Sequence, residues 1–442
     1  MSWSRRKDGL LAKVNFPPYT LEMLTSRHVL VGGGGGSSKT GVANGFEIFE
    51  LSHDGTQFVA EEFTRYETGP NVVMNSATHN DGKRMWLVAG QESHCQLYNI
   101  QAKVVVTENG EIPKKTGFPS REELRQRRKS ERKDETPLKR ENVEEIKDEE
   151  PKAKHKKLQL IIKPLDSIQT DFGKAEPFQR VVRISPNGGL MATGGTDGYV
   201  RLWNFPQMIK LHDLMGHSKE IDDIDFCPKS KHLATVAKDG KLIIWDVTSG
   251  SKTKELTWTP SDDEKSFFKR CRFRKTVADS PAIPQQLFAL SKSLPPRDRR
   301  NRSKTQYGYL QLWSVDLGKI EKLVTYKEDL SALAASDDGK FVAVGTMSSG
   351  TVDMFIAFSL QKVWHVPGAH KMFITDLEFL PTKLDGPAIT SNAEAAVVSC
   401  SIDNKICIHS IPFRHALPVW LFLIFIVLSI CGAFILCSYL GI

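Results

Sequence analysis

Alternating apolar and polar residues, broken by short polar turns, run through most of the chain, and the pattern repeats. ATGGTDGYVRLWNF (192–205) and ATVAKDGKLIIWDV (234–247) share three features: a strand of small residues, an Asp-Gly turn, and a second strand ending in Trp. Period-two alternation places one face of each strand inward, and Asp-Gly supplies the positive φ values of a tight hairpin. VAGQESHCQLYNI (88–100), YLQLWSV (309–315), VAVGTMSSGTVDMF (342–355) and VSCSIDNKICIHSI (398–411) are variants of the same unit. The aromatic ends give a ruler. Trp203 to Trp245 and Trp313 to Phe355 are each 42 residues, whereas Trp245 to Trp313 is 68 and Tyr98 to Trp203 is 105, so two units carry insertions.

A period of roughly 40 to 45 residues with a Trp-Asp ending is the mark of WD-repeat propellers, in which each repeat is a four-stranded blade. Gly216-His217 ahead of Trp245-Asp246 completes one full match. Counting hairpins, with HVLVGG and FEIFEL as the first, predicts an all-β, seven-bladed WD-repeat-like β-propeller over residues 1–412. The last blade, ending near Ile411, lacks a fourth strand, and LLAKVNF near the N-terminus is placed to supply it and close the ring. An open sandwich is the competing arrangement.

The larger insertion, residues 113–157, holds 16 Lys or Arg and 11 Asp or Glu with few apolar side chains, too little to bury a core, so disorder is expected. Nucleic-acid binding is the sharper reading of its basic clusters. Acids interrupt them and no aromatic residues interleave for base stacking, which argues against DNA as a partner. The second insertion, 293–307, is rich in Pro and Arg and reads as a surface loop. Much of the net charge of +8 sits in the first of these segments. MSWSRRKDGLLAKVNF has no apolar run long enough for a signal peptide. From Leu417 to Leu440, by contrast, 24 residues carry no charge, enough for a single C-terminal transmembrane helix. Arg414 and His415 just before it predict a cytosolic body by the positive-inside bias. The seven cysteines lack C-x-x-C spacing, as expected of reduced core thiols, with Cys431 and Cys437 inside the apolar segment.

One stretch resists the pattern: VGGGGGSSKTGVANGF, residues 31–46. A phosphate-binding P-loop needs Gly before Lys-Thr and a helix after it. Here Ser38 precedes Lys39, and a strand follows. Elsewhere no H-E-x-x-H, paired metal-ligand spacing or G-x-S-x-G occurs, and His217 and His370 fall at the blade position that carries a structural hydrogen bond.

The propeller pattern, a G-G-G-G-x-x-x-x-G-[IV]-x-N loop in the first blade and the C-terminal apolar segment together resemble the prolactin regulatory element-binding protein family. VAGQESHCQLYNIQA, IQTDF, LMATGGTDGYVRLWNFP, VDMFIAFSLQ, ITDLEFLP and HALPVWLFL look like its animal members, and the likeness covers nearly all of the chain except the charged linker. That family comprises endoplasmic-reticulum guanine nucleotide exchange factors for the Sar-type small GTPase that starts COPII coat assembly. The resemblance implies that the glycine loop is the catalytic element, carried here by Gly33, Gly34, Gly35, Gly36, Gly41, Val42 and Asn44. In fungal members a potassium ion organises the loop, which makes Asn44 a candidate metal ligand beside glycine carbonyls. Glycines permit close backbone approach, and their carbonyls suit a hard cation. Val42 is expected at an exposed apolar tip, and Asn44 on an exposed loop. Lys39 and Thr40 in the variable stretch are candidate partner contacts. Strand alternation places the Tyr66–Pro70 connection beside the loop, adding Glu67 and Thr68. Expected partners are the GTPase and the endoplasmic-reticulum membrane. A membrane-tethered scaffold without exchange activity and a DNA-binding transcriptional regulator are the rival readings.

Overall fold

The computed structural model describes residues 9–36, 41–107, 155–260, 265–275, 285–293, 306–382, 393–413 and 419–440. Seven four-stranded antiparallel sheets follow one another along the chain. Blade 1 is β2 (Pro18–Met23), β3 (His28–Gly33), β4 (Gly45–His53) and β5 (Phe58–Glu67). Blade 2 is β6 (Asn75–Asn80), β7 (Met85–Gln91), β8 (His94–Thr107) and β9 (His155–Gln169), and blade 3 runs from β10 (Gln179–Ile184) through β11 (Leu190–Gly195) and β12 (Val200–Asn204) to β13 (Ile209–Leu214). Blades 4, 5 and 6 begin at β14 (Ile221–Phe226), β18 (Ser266–Phe273) and β22 (Leu330–Ala335). Blade 7 takes β26 (Ile374–Phe379), β27 (Ala393–Ser401) and β28 (Lys405–Pro412) from the end of the chain and β1 (Leu10–Lys13) from its start. The ring therefore closes as the N-terminal LLAKVNF predicts, with Ala12 opposite Ile406.

The repeat has a physical basis visible in blades 3 to 6. The third strand kinks at a bulge beside its aromatic end, between Leu202 and Trp203, Ile244 and Trp245, Leu312 and Trp313, and Met354 and Phe355. A bulge increases local twist and re-aims the next side chain. These rings are buried, each worth on the order of 2–3 kcal/mol of transfer free energy. The Trp nitrogens are satisfied as well: Trp245 Nε1 donates to Thr235 Oγ1 at 2.8 Å, and the same hydroxyl meets His217 Nε2, whose Nδ1 faces Asp239. His370 repeats the arrangement with Ser399 and Asp403. Both histidines are thus structural, as their spacing implies.

Residues Gln101–Ile161 form a second unit, described at Gln101–Thr107 and from His155 onward. Residues 113–154 of the expected charged insertion lie outside the described residues. The sequence-based boundary at 157 is too late, since His155 already begins β9, and the insertion joins the third and fourth strands of its blade. Residues 294–305 of the basic loop are likewise outside the described set. Extra length between Trp245 and Trp313 is not confined to that loop: it is shared by the connections 257–265, 274–285 and 294–307.

After β28 the chain reaches the helix α1 (Val419–Leu440), 22 residues without a charge. Among the described residues no helix meets the length and apolarity needed to cross a membrane.

Candidate functional site

The glycine loop leaves β3 at Gly33, which pairs with Gly45 at the base of the hairpin, and returns through Gly41 and Val42 to Asn44. Its glycines serve two different ends. A Cβ on Gly34 would sit 2.1 Å from Asn44 Oδ1, so this position is glycine for close approach. Gly36 and Gly41 have φ of +82° and +79° with open space around them, so there the backbone conformation itself demands glycine. Gly33 is buried and Gly35 half-buried; Lys39 and Thr40 lie outside the described residues.

Asn44 organises the loop from beneath. Its side chain is 5% exposed, not on an exposed loop as the sequence reading has it. Oδ1 accepts from the Gly36 N–H at 2.9 Å, while Nδ2 donates to the carbonyls of Gly36 (3.1 Å), Gly69 (3.0 Å) and Pro70 (3.0 Å). One carboxamide thereby ties both ends of the glycine loop to the connection between blades 1 and 2. The assignment of its oxygen and nitrogen follows from the partners: three carbonyls need a donor and the N–H needs an acceptor. Tyr66–Pro70 flanks the loop as strand alternation predicts. The Thr68 N–H donates to the Asn44 carbonyl at 3.0 Å, and the Thr68 hydroxyl donates to the Asn71 carbonyl at 2.7 Å, so Thr68 shapes the connection itself. Glu67 is exposed, 3.9 Å from Arg65. On the other side the Gly34 N–H donates to the Pro17 carbonyl at 3.2 Å.

Val42 is corrected as well. It is half-buried and packs on the cluster around Val14, Phe16 and Leu51, because the return limb of the loop folds down onto the seam where blade 7 meets blade 1. The sequence reading also misses an aromatic group below the site. Tyr98 of blade 2 meets Phe46 and Tyr66 edge-on, at 5.5 and 5.6 Å, and its hydroxyl accepts from Gln91 Nε2 at 2.7 Å. Burial holds the Tyr98 phenol far above its usual pKa, so it stays neutral. The tyrosine at this blade position was the available signal.

A potassium ion does not fit the described part of this site. The Gly36, Gly69 and Pro70 carbonyls converge as a cation's ligands would, but on the Asn44 amide nitrogen, and the amide oxygen is turned to an N–H. Hydrogen bonds from Nδ2 do here what a cation's charge would do. Among the described residues no group of three or more His, Cys, Asp or Glu is placed to hold a metal ion.

The class that fold and site define is a seven-bladed WD propeller with a backbone-rich loop pinned on one face. The WD domain, G-beta repeat model matches residues 177–204 and 208–246. The chain is 32% identical over 432 residues to mouse guanine nucleotide-exchange factor SEC12, covering 95% of this chain and 94% of that protein. The rat protein of the same name is 31% identical over 426 residues, with the same coverage, and SEC12-like protein 1 of Arabidopsis thaliana is 28% identical over 47% of each chain. The crystal structure of Raptor from Chaetomium thermophilum superposes with a TM-score of 0.58 at 12% identity, over 93% of this chain and 29% of that one, which shows the fold alone. The chain belongs to the SEC12 family of guanine nucleotide-exchange factors.

Proposed function

We propose that the face bearing the glycine loop engages a Sar-type small GTPase at the endoplasmic reticulum and accelerates release of its GDP, the step that starts COPII coat assembly. The observation that carries the reading is the Asn44 clamp: a loop with little side-chain bulk is held open and fixed against the Tyr66–Pro70 connection. Such a loop can bring main-chain N–H and C=O groups close to a nucleotide site. No covalent chemistry is required. A face that binds the nucleotide-free GTPase more tightly than either loaded form lowers nucleotide affinity by the same factor, and excess GTP then sets the direction.

The membrane enters through α1. The uncharged stretch 417–440, of which α1 is part, is 24 residues long, and as one helix it would extend about 36 Å at roughly 1.5 Å per residue, enough for a hydrocarbon core of about 30 Å. Residues 417–440 then form the single span, with Arg414 and His415 on the cytosolic side and the propeller, residues 1–412, in the cytosol. The deciding experiment places the full chain in liposomes with a Sar-type GTPase preloaded with fluorescent GDP and follows release after GTP is added. Acceleration of about tenfold or more over empty liposomes is expected; release at the intrinsic rate would overturn the exchange reading in favour of its rivals.

A further inference from the structure

The loop from Thr170 to Phe178, between blades 2 and 3, opens on the same face as the glycine loop, because both connections lie where second and fourth strands end. Phe172 stands on it 55% exposed. An exposed phenyl ring normally hangs on a mobile turn, whereas this one is held by an extensive buried framework. Asp171 just before it is fully buried, and its carboxylate accepts from the N–H groups of Gly173, Thr196 and Asp197 and from the Thr196 hydroxyl. The Phe172 N–H itself donates to Asp197 Oδ2 at 3.2 Å. Arg201 then supports the ring, its guanidinium carbon 4.9 Å from the ring centroid. That guanidinium is fixed by Asp197 at 2.6 Å and the Thr170 carbonyl at 2.7 Å.

This framework is continuous with the candidate site. The Thr170 and Asp171 N–H groups both donate to the Ser93 carbonyl in the turn that joins β7 to β8, and the Tyr98 ring carried by β8 packs on Phe46 and Tyr66 beneath the glycine loop. Immobilising an aromatic ring while leaving its outer face in water gives the fold nothing that a buried ring would not give better. It does remove the ordering cost of docking, as in the rigid aromatic anchors that dominate protein interfaces. Other exposed apolar residues on this face, such as Met215 and Met372, are methionines, whose unbranched side chains keep more freedom than a phenyl ring stacked on a fixed guanidinium.

We propose that Phe172 is a second contact for the GTPase, an aromatic anchor for an apolar patch on the GTPase surface, set one blade round from the glycine loop. The inference rests on the reading of this face as the exchange surface. Glycine-loop backbone and aromatic anchor then divide the labour: the loop disturbs the nucleotide and Phe172 holds the partner.

The test compares full-length wild type, Phe172→Ala, Phe172→Trp and Gly36→Val in liposomes, measuring Kd for nucleotide-free GTPase, KM and kcat of exchange, and propeller melting. Phe172→Ala is expected to raise Kd and KM about tenfold, with kcat within about twofold and melting unchanged, and Phe172→Trp to restore most of the affinity. Unchanged Kd and KM in Phe172→Ala would overturn the proposal, and so would an affinity loss that tracks a fall in melting temperature. If Gly36→Val keeps full exchange while Phe172→Ala weakens binding, the glycine-loop reading falls and the Phe172 contact stands.

Discussion

At the scale of single residues, Asn44 concentrates the most consequence in one side chain. Asn44→Ala removes an acceptor and a donor shared among Gly36, Gly69 and Pro70, so the half-buried Gly36 end of the loop loses its tie to the exposed Gly69–Pro70 connection. The expected cost is about 1–3 kcal/mol of stability, together with a loss of exchange of about tenfold or more as the loop is freed. Asn44→Asp should be worse than Ala although it is isosteric, since it turns a carboxylate oxygen toward three carbonyl oxygens. Thermal melts and exchange rates of the two variants check this, and an Asp variant as stable as wild type would remove the clamp. The sequence marks this asparagine but misplaces it. Its spacing from the glycines is legible, whereas its burial depends on Gly69 and Pro70, 25 and 26 residues away. Val42 fails for a similar reason: an apolar residue in a glycine loop looks exposed until the adjoining blade seam is known to receive it.

Among the elements, strands and hairpins were the most legible, because a half-buried strand must alternate and a tight turn must carry Asp-Gly or its equivalents. Seven blades and the N-terminal closing strand follow from that pattern and one spacing. Insertions were legible in position but not in boundary, since β8 and β9 extend well beyond the sheet core, to Thr107 and from His155. That boundary shapes a deletion experiment. Removing Lys114–Ala153 keeps all of β9, and lengthening or shortening a surface connection changes closure entropy only slowly. The shortened protein is expected to melt within a few degrees of wild type and to exchange on soluble GTPase at an unchanged rate, by calorimetry and fluorescent nucleotide release. A collapse of soluble-phase exchange would assign the linker a part in partner binding.

At the scale of the whole molecule, the innermost strands bring charged side chains together around the propeller axis. Glu22 of β2 faces Arg183 of β10, Arg272 of β18, and Asp376 and Glu378 of β26. Burial, and then repulsion between the two glutamates, raises the Glu22 carboxyl to about 8. The folded protein thus keeps a proton that the unfolded chain gives up near the ordinary glutamate value. The associated stability is complete below about 4.5 and is lost as pH rises through 8, with a slope of up to about 1.4 kcal/mol per pH unit for one proton. Melting temperature is expected to fall between pH 6 and 8.5, and less so in Glu22→Gln, which is neutral throughout; equal pH slopes for the two proteins would exclude Glu22 as the source. His409, its pKa lowered to about 3 by burial, works in the opposite sense, contributing stability above the ordinary histidine value that is lost toward acid.

With residues 417–440 as the proposed span, the orientation of the propeller follows from the same ring. β28 is the third strand of its blade, and Pro412 lies beside Ala393 at the start of β27, so the chain leaves the propeller on the face opposite the glycine loop. Six residues separate Pro412 from Val419, a reach of at most about 25 Å when extended. On the proposed span, a face tethered that closely is expected to stay near the bilayer, with its far side turned away. The same face carries exposed Leu317 and Phe358 in the turns of blades 5 and 6 and exposed Phe413 after β28. The five propeller cysteines are buried and the other two lie in α1, so Cys431→Ser with Cys437→Ser gives a background without exposed thiols. Single labels at Phe358→Cys and Glu67→Cys, read by quenching from headgroup-labelled lipids, then report the two faces. Stronger quenching at position 358 is expected. If position 67 is quenched more, the glycine loop faces the bilayer, and a GTPase would have to reach it from the membrane and not from the open cytosolic side.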